Sequence, residues 1–284
     1  MDCPNCKRFI IQAADICPFC KTALNSVYAD SKAILHKEEN HWFLSRFENR
    51  SGAQTFTREE FDSLANWKYG KTLSGKRATV YKTSNGNVIE CDSSSEVKLL
   101  KYMERSGMFA GIGGQALVIP YDSSMRSNLN YSPDIAAITN GGHIIIVEVK
   151  PLIAMSYHMN LEKYRGLRKY CESNGFMYAM LDPDSEYMTF EEFRKTIVPD
   201  DVKKLFVPLE KRAAVGSKEY FHFNKENIDE WYKQYRRDYD RKEFELLIHA
   251  LIIQKAWFNT FDRGFNVYSR PVKLDYNHNV VTFK

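Results

Sequence analysis

The sequence predicts an α/β protein in which helices flank a mixed sheet. Three observations carry that expectation. The run Ile144, Ile145, Ile146 and Val147 is apolar at every position, as a strand buried on both faces requires. Around it, helical stripes alternate with strand-like segments in the order helix, three strands, helix, strand, helix. A content of 44% hydrophobic and 14% aromatic residues suits a packed core and excludes a disordered chain.

At 284 residues the chain has room for a full core and one or two smaller modules. Its formal charge of +4, from 40 basic and 36 acidic side chains, permits nucleic-acid binding without demanding it. The polar, cysteine-rich beginning does not read as a secretory signal, and no apolar run approaches the 18 or so residues of a membrane span. The expectation is a cytoplasmic protein with no membrane partner. Four parts are expected: a metal module at residues 1–23, a helical connector at 24–75, the α/β core at 76–200, and a mainly helical part at 201–284.

Cys3, Cys6, Cys17 and Cys20 form two CxxC pairs, CPNC and CPFC. Each pair closes a short knuckle, and four thiolates match tetrahedral Zn²⁺. Such a module resembles a zinc ribbon. A closed shell of four thiolates leaves no position for a substrate, so this Zn²⁺ is structural. Cys91 and Cys171 stand alone and read as core residues.

In the connector, AILHKEENHWFLSRF reads as one amphipathic helix, and Thr57 with Glu60 as a capping box opening another. The segment ANWKYGKT fits a relaxed phosphate-loop pattern, but a helix precedes it and a strand follows it, the reverse of what a phosphate cradle needs. RATVYKTSNGNVIECD is a hairpin around Asn85 and Gly86. Ser93 then caps a helix that Gly107 stops. On that helix Glu96, Leu99, Leu100 and Met103 share one face, which puts an acid on a buried stripe. QALVIPYD and FMYAMLD are strands, and TFEEFRKTI is a short helix. Residues 160–174 form a helix with the stripe Leu161, Tyr164, Leu167 and Cys171. Beyond residue 201 two helices are expected, with FNVYS and VVTFK as a β pair, an order that suits a winged helix.

The segment YSPDIAAITNGGHIIIVEVKP holds the chemistry. Its buried strand ends in Glu148 and Lys150, which point to one face while Val149 points to the other. Asn140, Gly141 and Gly142 supply a turn to the preceding strand. A three-residue loop sets Thr139 opposite His143 and Asp134 opposite Glu148, on one face. A two-residue loop would pair Asp134 with Val147 and part the carboxylates. In the first register their Cβ atoms stand about 4.5–5.5 Å apart, poor for two bare anions but good around a divalent cation. The three-residue loop is the expectation.

A helix bearing Glu96, then Pro133 and Asp134, then Glu148-Val149-Lys150 closing a hydrophobic strand, resembles the PD-(D/E)XK superfamily of restriction-endonuclease-like nucleases. Within it, the SxxE helix, the YSPD phrase and the VEVKP ending look most like TnsA-type transposon endonucleases. Those proteins carry glutamine where this chain has Glu148, which draws the site toward ordinary restriction enzymes. The resemblance implies a restriction-endonuclease-like sheet, Glu96, Asp134 and Glu148 as ligands of Mg²⁺ or Mn²⁺, and Lys150 as the catalytic lysine. The carbonyl of Val149 would be a further hard oxygen ligand. Lys163 and Arg168, on the next helix, are candidate contacts to the DNA backbone.

The function the resemblance implies is metal-dependent hydrolysis of DNA, with RNA a lesser candidate, by an end-cleaving subunit that works with a transposase or other protein partner. A double-strand cut needs two active sites, which a homodimer would supply. Two alternatives stay open in the sequence: a phage or defence nuclease without a transposase, and an inactive nuclease fold that binds nucleic acid through its zinc ribbon.

Overall fold

The computed structural model describes residues 40–65, 79–84, 88–115, 117–123, 129–214, 222–260, 266–268, 272–274 and 280–283. Cys3, Cys6, Cys17 and Cys20, most of the first connector helix and ANWKYGKT beyond Ala65 lie outside the described residues. The chain divides into two compact units, Met1–Arg46 and Phe47–Lys284. In the first, the Arg46 guanidinium lies 4.0 Å from the centre of the Trp42 ring, a cation–π contact.

In the second unit a bridge from Glu48 to Tyr178 and a 3-10 turn at Arg50–Gly52 precede helix α1 (Arg58–Ala65). Its start is the expected capping box, with Thr57 N–H donating to Glu60 at 2.7 Å and Glu60 N–H to Thr57 Oγ1 at 3.2 Å. Strands β1 (Thr79–Lys82) and β2 (Val88–Cys91) pair antiparallel as the expected hairpin. Helix α2 (Ser94–Ser106) begins at Ser93, whose side chain accepts from Glu96 N–H, and ends at Gly107 in the left-handed region. Then come β3 (Phe109–Gly114), β4 (Ile119–Tyr121), β5 (Leu129–Tyr131), β6 (Ile135–Thr139) and β7 (Ile144–Val149). A short helix α3 (Leu152–Met155) leads to α4 (His158–Asn174) and to β8 (Met177–Asp182) and β9 (Met188–Thr189).

Five of these strands form one mixed sheet, ordered β3-β6-β7-β8-β9. Strand β6 runs antiparallel to both β3 and β7, while β7 and β8 are parallel, joined by the crossover through α3 and α4. Every residue of β6, β7 and β8 is buried, which explains their nearly unbroken apolar runs. Ala136, Ile138, Ile144, Ile146, Tyr178 and Met180 share one core with Leu161, Tyr164, Leu167 and Cys171 of α4. Each fully buried Ile there contributes about 2–3 kcal/mol. Gly166 interrupts the α4 stripe because a Cβ at that position would stand 2.6 Å from Cβ of Tyr121 in β4. Only glycine lets helix and strand approach so closely.

The turn between β6 and β7 holds three residues, as expected. Thr139 N–H donates to His143 O at 2.9 Å and Gly142 N–H to Thr139 O at 2.9 Å. Gly142 has φ 81°, and a Cβ there would meet Phe56 O at 2.9 Å. The ladder pairs Ile138 with Ile144 and Ile135 with Val147.

The later elements are α5 (Phe190–Arg194), α6 (Asp200–Lys204), α7 (Val207–Ala214), β10 (His222–Asn224), α8 (Lys225–Tyr235), α9 (Arg241–Gln254), β11 (Phe258–Thr260), β12 (Asn266–Tyr268), β13 (Val272–Leu274) and β14 (Val280–Phe283). The two expected helices are α8 and α9. The expected pairing of FNVYS with VVTFK does not form. Instead β12 lies between β10 and β11, and β14 pairs with β13. Residues 222–224 are the partner that local sequence could not point to, because they precede the two helices. Core side chains on both sides of residue 200 belong to one hydrophobic cluster, with Phe193, Val202, Phe206, Phe223 and Trp257 all in it. Phe206 stacks on Trp257 with centroids 4.9 Å apart. No helix among the described residues is long and apolar enough to cross a membrane.

One buried polar chain ties α9 and β11 to Ser156, the residue that ends α3. Asn259 Nδ2 donates to Ser156 Oγ at 2.7 Å, and Ser156 Oγ lies 2.6 Å from His249 Nδ1. Burial pushes His249 down to about 3 from its ordinary 6.5. Its contribution to stability is therefore complete above pH 6.5 and declines as pH falls toward 3, by about 1.4 kcal/mol per pH unit. In urea titrations a His249→Asn variant should be less stable than wild type at pH 7 by roughly 1–3 kcal/mol. The gap should close as pH is lowered to about 4.5. A gap that stays constant over that range would show that His249 is not held neutral.

Candidate active site

Two strands set the site's geometry. Continued by one rung past Ile135 and Val147, the β6–β7 ladder brings Asp134 level with Glu148 on one face. Asp134 is 9% exposed and Glu148 2%. Asp134 Oδ2 accepts from Val149 N–H at 2.7 Å, so the backbone of one strand fixes the carboxylate of the other. Lys150 returns over both. Its Nζ lies 2.8 Å from Glu148 Oε1 and 3.5 Å from Asp134 Oδ2, and it donates to Val149 O at 2.9 Å. Lys150 N–H donates to Leu181 O at 3.0 Å, which anchors the residue to β8.

Two carboxylates and a backbone carbonyl thus converge on one positive charge. Burial raises Glu148 above the ordinary carboxylate range, and the neighbouring Asp134 charge raises it further, while Lys150 and then Lys163 act in the opposite sense. Burial alone would lower Lys150. The Asp134 and Glu148 carboxylates outweigh it and hold the ammonium above its ordinary value. The second oxygen of Glu148, Oε2, is buried with no hydrogen-bond partner. An unpartnered buried carboxylate oxygen is expensive, and hard oxygens of this kind are what Mg²⁺ or Mn²⁺ binds.

Glu96 is buried at 5% exposure on the inner face of α2. Its hydrogen bonds are local: Asp92 N–H donates to Oε2 at 3.0 Å and Ser93 Oγ–H to Oε1 at 2.7 Å. The carboxylate therefore braces the start of its own helix. It also lies in the field of the strand carboxylates, since burial raises its pKa and Asp134 raises it again. Among the described residues no three His, Cys, Asp or Glu side chains converge closely enough to hold a metal ion by themselves. The donor set that does converge is Asp134, Glu148 and the Val149 carbonyl.

Lys163 of α4 comes to the site, with Nζ 5.7 Å from the centre of the Tyr131 ring and its charge felt by Glu148. Arg168 does not. It is exposed and pairs with Glu172 one turn on, at 2.9 Å, as a solvated helix face does. Three further residues border the cluster without having been singled out in the sequence as part of a site. Tyr131, at the end of β5, is buried, and its hydroxyl has no hydrogen-bond partner. Cys91 is raised to about 12 by burial, then by Glu96 and Asp134. Gln115, at φ 43°, donates its N–H to Asp134 O at 2.9 Å and its amide to Asp92 at 3.2 Å. A positive φ at a non-glycine residue is strained, and the GIGG run just before it was the available signal.

The chain matches no protein-family model and no curated protein, so the functional reading rests on the residues of the site.

The sign of the Glu148 shift gives a test in the absence of divalent ions. A carboxyl whose folded pKa is raised contributes stability below its unfolded value near 4.5, and that contribution is lost as pH rises through the folded value. In EDTA, Glu148→Gln should gain on wild type in thermal midpoint between about pH 5 and pH 8, by a few degrees. Mg²⁺ at the upper end of that range should raise the wild-type midpoint and leave the variant unmoved. Parallel midpoints at both pH values would show that Glu148 is not strained by its surroundings.

Proposed function

We propose that the protein is a metal-dependent endonuclease that hydrolyses phosphodiester bonds in DNA. The observation that carries this is the convergence of Asp134, Glu148 and the Val149 carbonyl on one cation position. Two buried acids, Asp134 and Glu148, hold the ammonium of Lys150, and a third, Glu96, lies in the field of Asp134. That excess of negative charge fits a divalent ion held by Asp134, Glu148 and Val149 O, with Glu96 able to join if it leaves its cap. Mg²⁺ or Mn²⁺ bound there would supply charge to the scissile phosphate and lower the pKa of a bound water.

The protein's own groups would do the rest. Asp134 and Glu148 are fixed by the ladder and by Val149 N–H, so they need little reorganisation on binding. Lys150, held charged by both acids, is placed to donate to the attacking water or to a phosphate oxygen that displaces it from Glu148. Lys163 would approach the DNA strand from α4.

The arrangement supports the PD-(D/E)XK resemblance and, more narrowly, a TnsA-like end-cleaving subunit. Such a subunit would work with a transposase or as a homodimer, with the four-cysteine module holding Zn²⁺ and gripping nucleic acid or a partner. The C-terminal helices and strands would serve as an accessory region.

Supercoiled plasmid should be nicked in Mg²⁺ and spared in EDTA. Lys150→Ala should keep its divalent-ion binding and lose roughly 10²–10³-fold in rate, while Asp134→Asn should lose both. Nicking that persists in both variants would remove the site assignment.

A further inference from the structure

We propose that Tyr131 and Lys163 form a phosphate-binding subsite beside the carboxylate cluster, in which the Tyr131 hydroxyl donates to a non-bridging phosphate oxygen and Lys163 balances its charge. The identity of the ligand as a nucleic-acid phosphate rests on the nuclease reading above. The place of the subsite rests on separate observations.

Tyr131 is 8% exposed, yet its hydroxyl has no hydrogen-bond partner. Buried hydroxyls are nearly always bonded, and one that is not asks for a partner. The ring cannot easily turn away, because it meets Tyr121 edge-on at 5.5 Å and 90°. The Lys163 ammonium lies 5.7 Å from the ring centre. Tyr131 stands three residues before Asp134 on the segment that leads into β6. Glu148 Oε2, another unpartnered buried oxygen, belongs to the same cluster, and the Glu148 charge is felt at Tyr131 as the Lys163 charge is felt at Glu148.

The chemistry of the pair selects its ligand. Burial, followed by the Glu148 charge, holds the phenol well above its ordinary value, so the hydroxyl keeps its proton and can donate. A hydroxyl donor on a ring that an ammonium approaches at 5.7 Å favours an acceptor-only anion, and a phosphate oxygen is one. Lys150 reaches Glu148 Oε1 while Tyr131 and Lys163 border the same carboxylate, so a phosphate there would be met by donors from several elements.

The test uses the full-length protein with Tyr131→Phe and Lys163→Gln. Because the Tyr131 hydroxyl has no partner, Tyr131→Phe should keep or raise the thermal midpoint. Its single-turnover cleavage rate at saturating DNA should fall about tenfold or more, and Lys163→Gln should raise KM. Affinity for a fluorescein-labelled DNA duplex, measured in Ca²⁺, should weaken about fivefold or more in each variant. Unchanged rate and affinity in Tyr131→Phe would overturn the inference. If the wild type binds duplex but does not cleave it, and Tyr131→Phe binds more weakly, the subsite stands and the nuclease reading fails. If the wild type neither cleaves nor binds, both fall.

Discussion

Asp134 and Glu148 meet one rung beyond four apolar ones, Ile135–Val147 to Ile138–Ile144, and the rest of the site depends on how that repulsion is met. Two buried carboxylates at this spacing repel, the Asp134 charge raising Glu148, and a cation between them removes the penalty. Lys150 performs that role here, in contact with both acids and with the Val149 carbonyl. The turn sets this geometry. With three residues at Asn140–Gly142 the carboxylates share a face, and one residue fewer would send them to opposite sides of the sheet. Gly142, at φ 81° and pressed against Phe56 O, is what allows the three-residue form.

Around that hairpin the fold reads as support for a strained centre. The parallel β7–β8 pair, buried on both faces, holds the Lys150 backbone through Leu181 O. Helix α4 packs its apolar stripe on the sheet and delivers Lys163 to the site's edge. The α2 cap keeps Glu96 near enough to feel Asp134, while its oxygens serve Ser93 and Asp92. Unpartnered oxygens on Glu148 and Tyr131 in so well packed a region are costly, and the proposed cation and phosphate would relieve that cost.

The hairpin and its register were legible because strand alternation and turn length are local rules, and a charge at the end of an isoleucine run violates composition visibly. Glu96 was legible as a buried acid and as part of its helix's cap, since helical spacing showed its face and Ser93 showed its cap. Tyr131, Cys91 and Gln115 were not. Their proximity to the acids comes from how β2, β3 and β5 pack, and nothing in their local pattern separates a site tyrosine from a core one. The C-terminal strands failed for a related reason. β12 pairs with β10, a segment on the far side of α8 and α9, and its own sequence does not encode so distant a partner.

The central claim is that Asp134, Glu148 and the Val149 carbonyl form a seat for a divalent cation. A crystal of the protein soaked in Mn²⁺, with anomalous differences recorded, addresses it directly. The expected result is a peak within bonding distance of both carboxylates, with Lys150 Nζ shifted off Glu148. A structure in which Mn²⁺ binds elsewhere, or nowhere, while Lys150 keeps its contacts to Asp134 and Glu148, would contradict it.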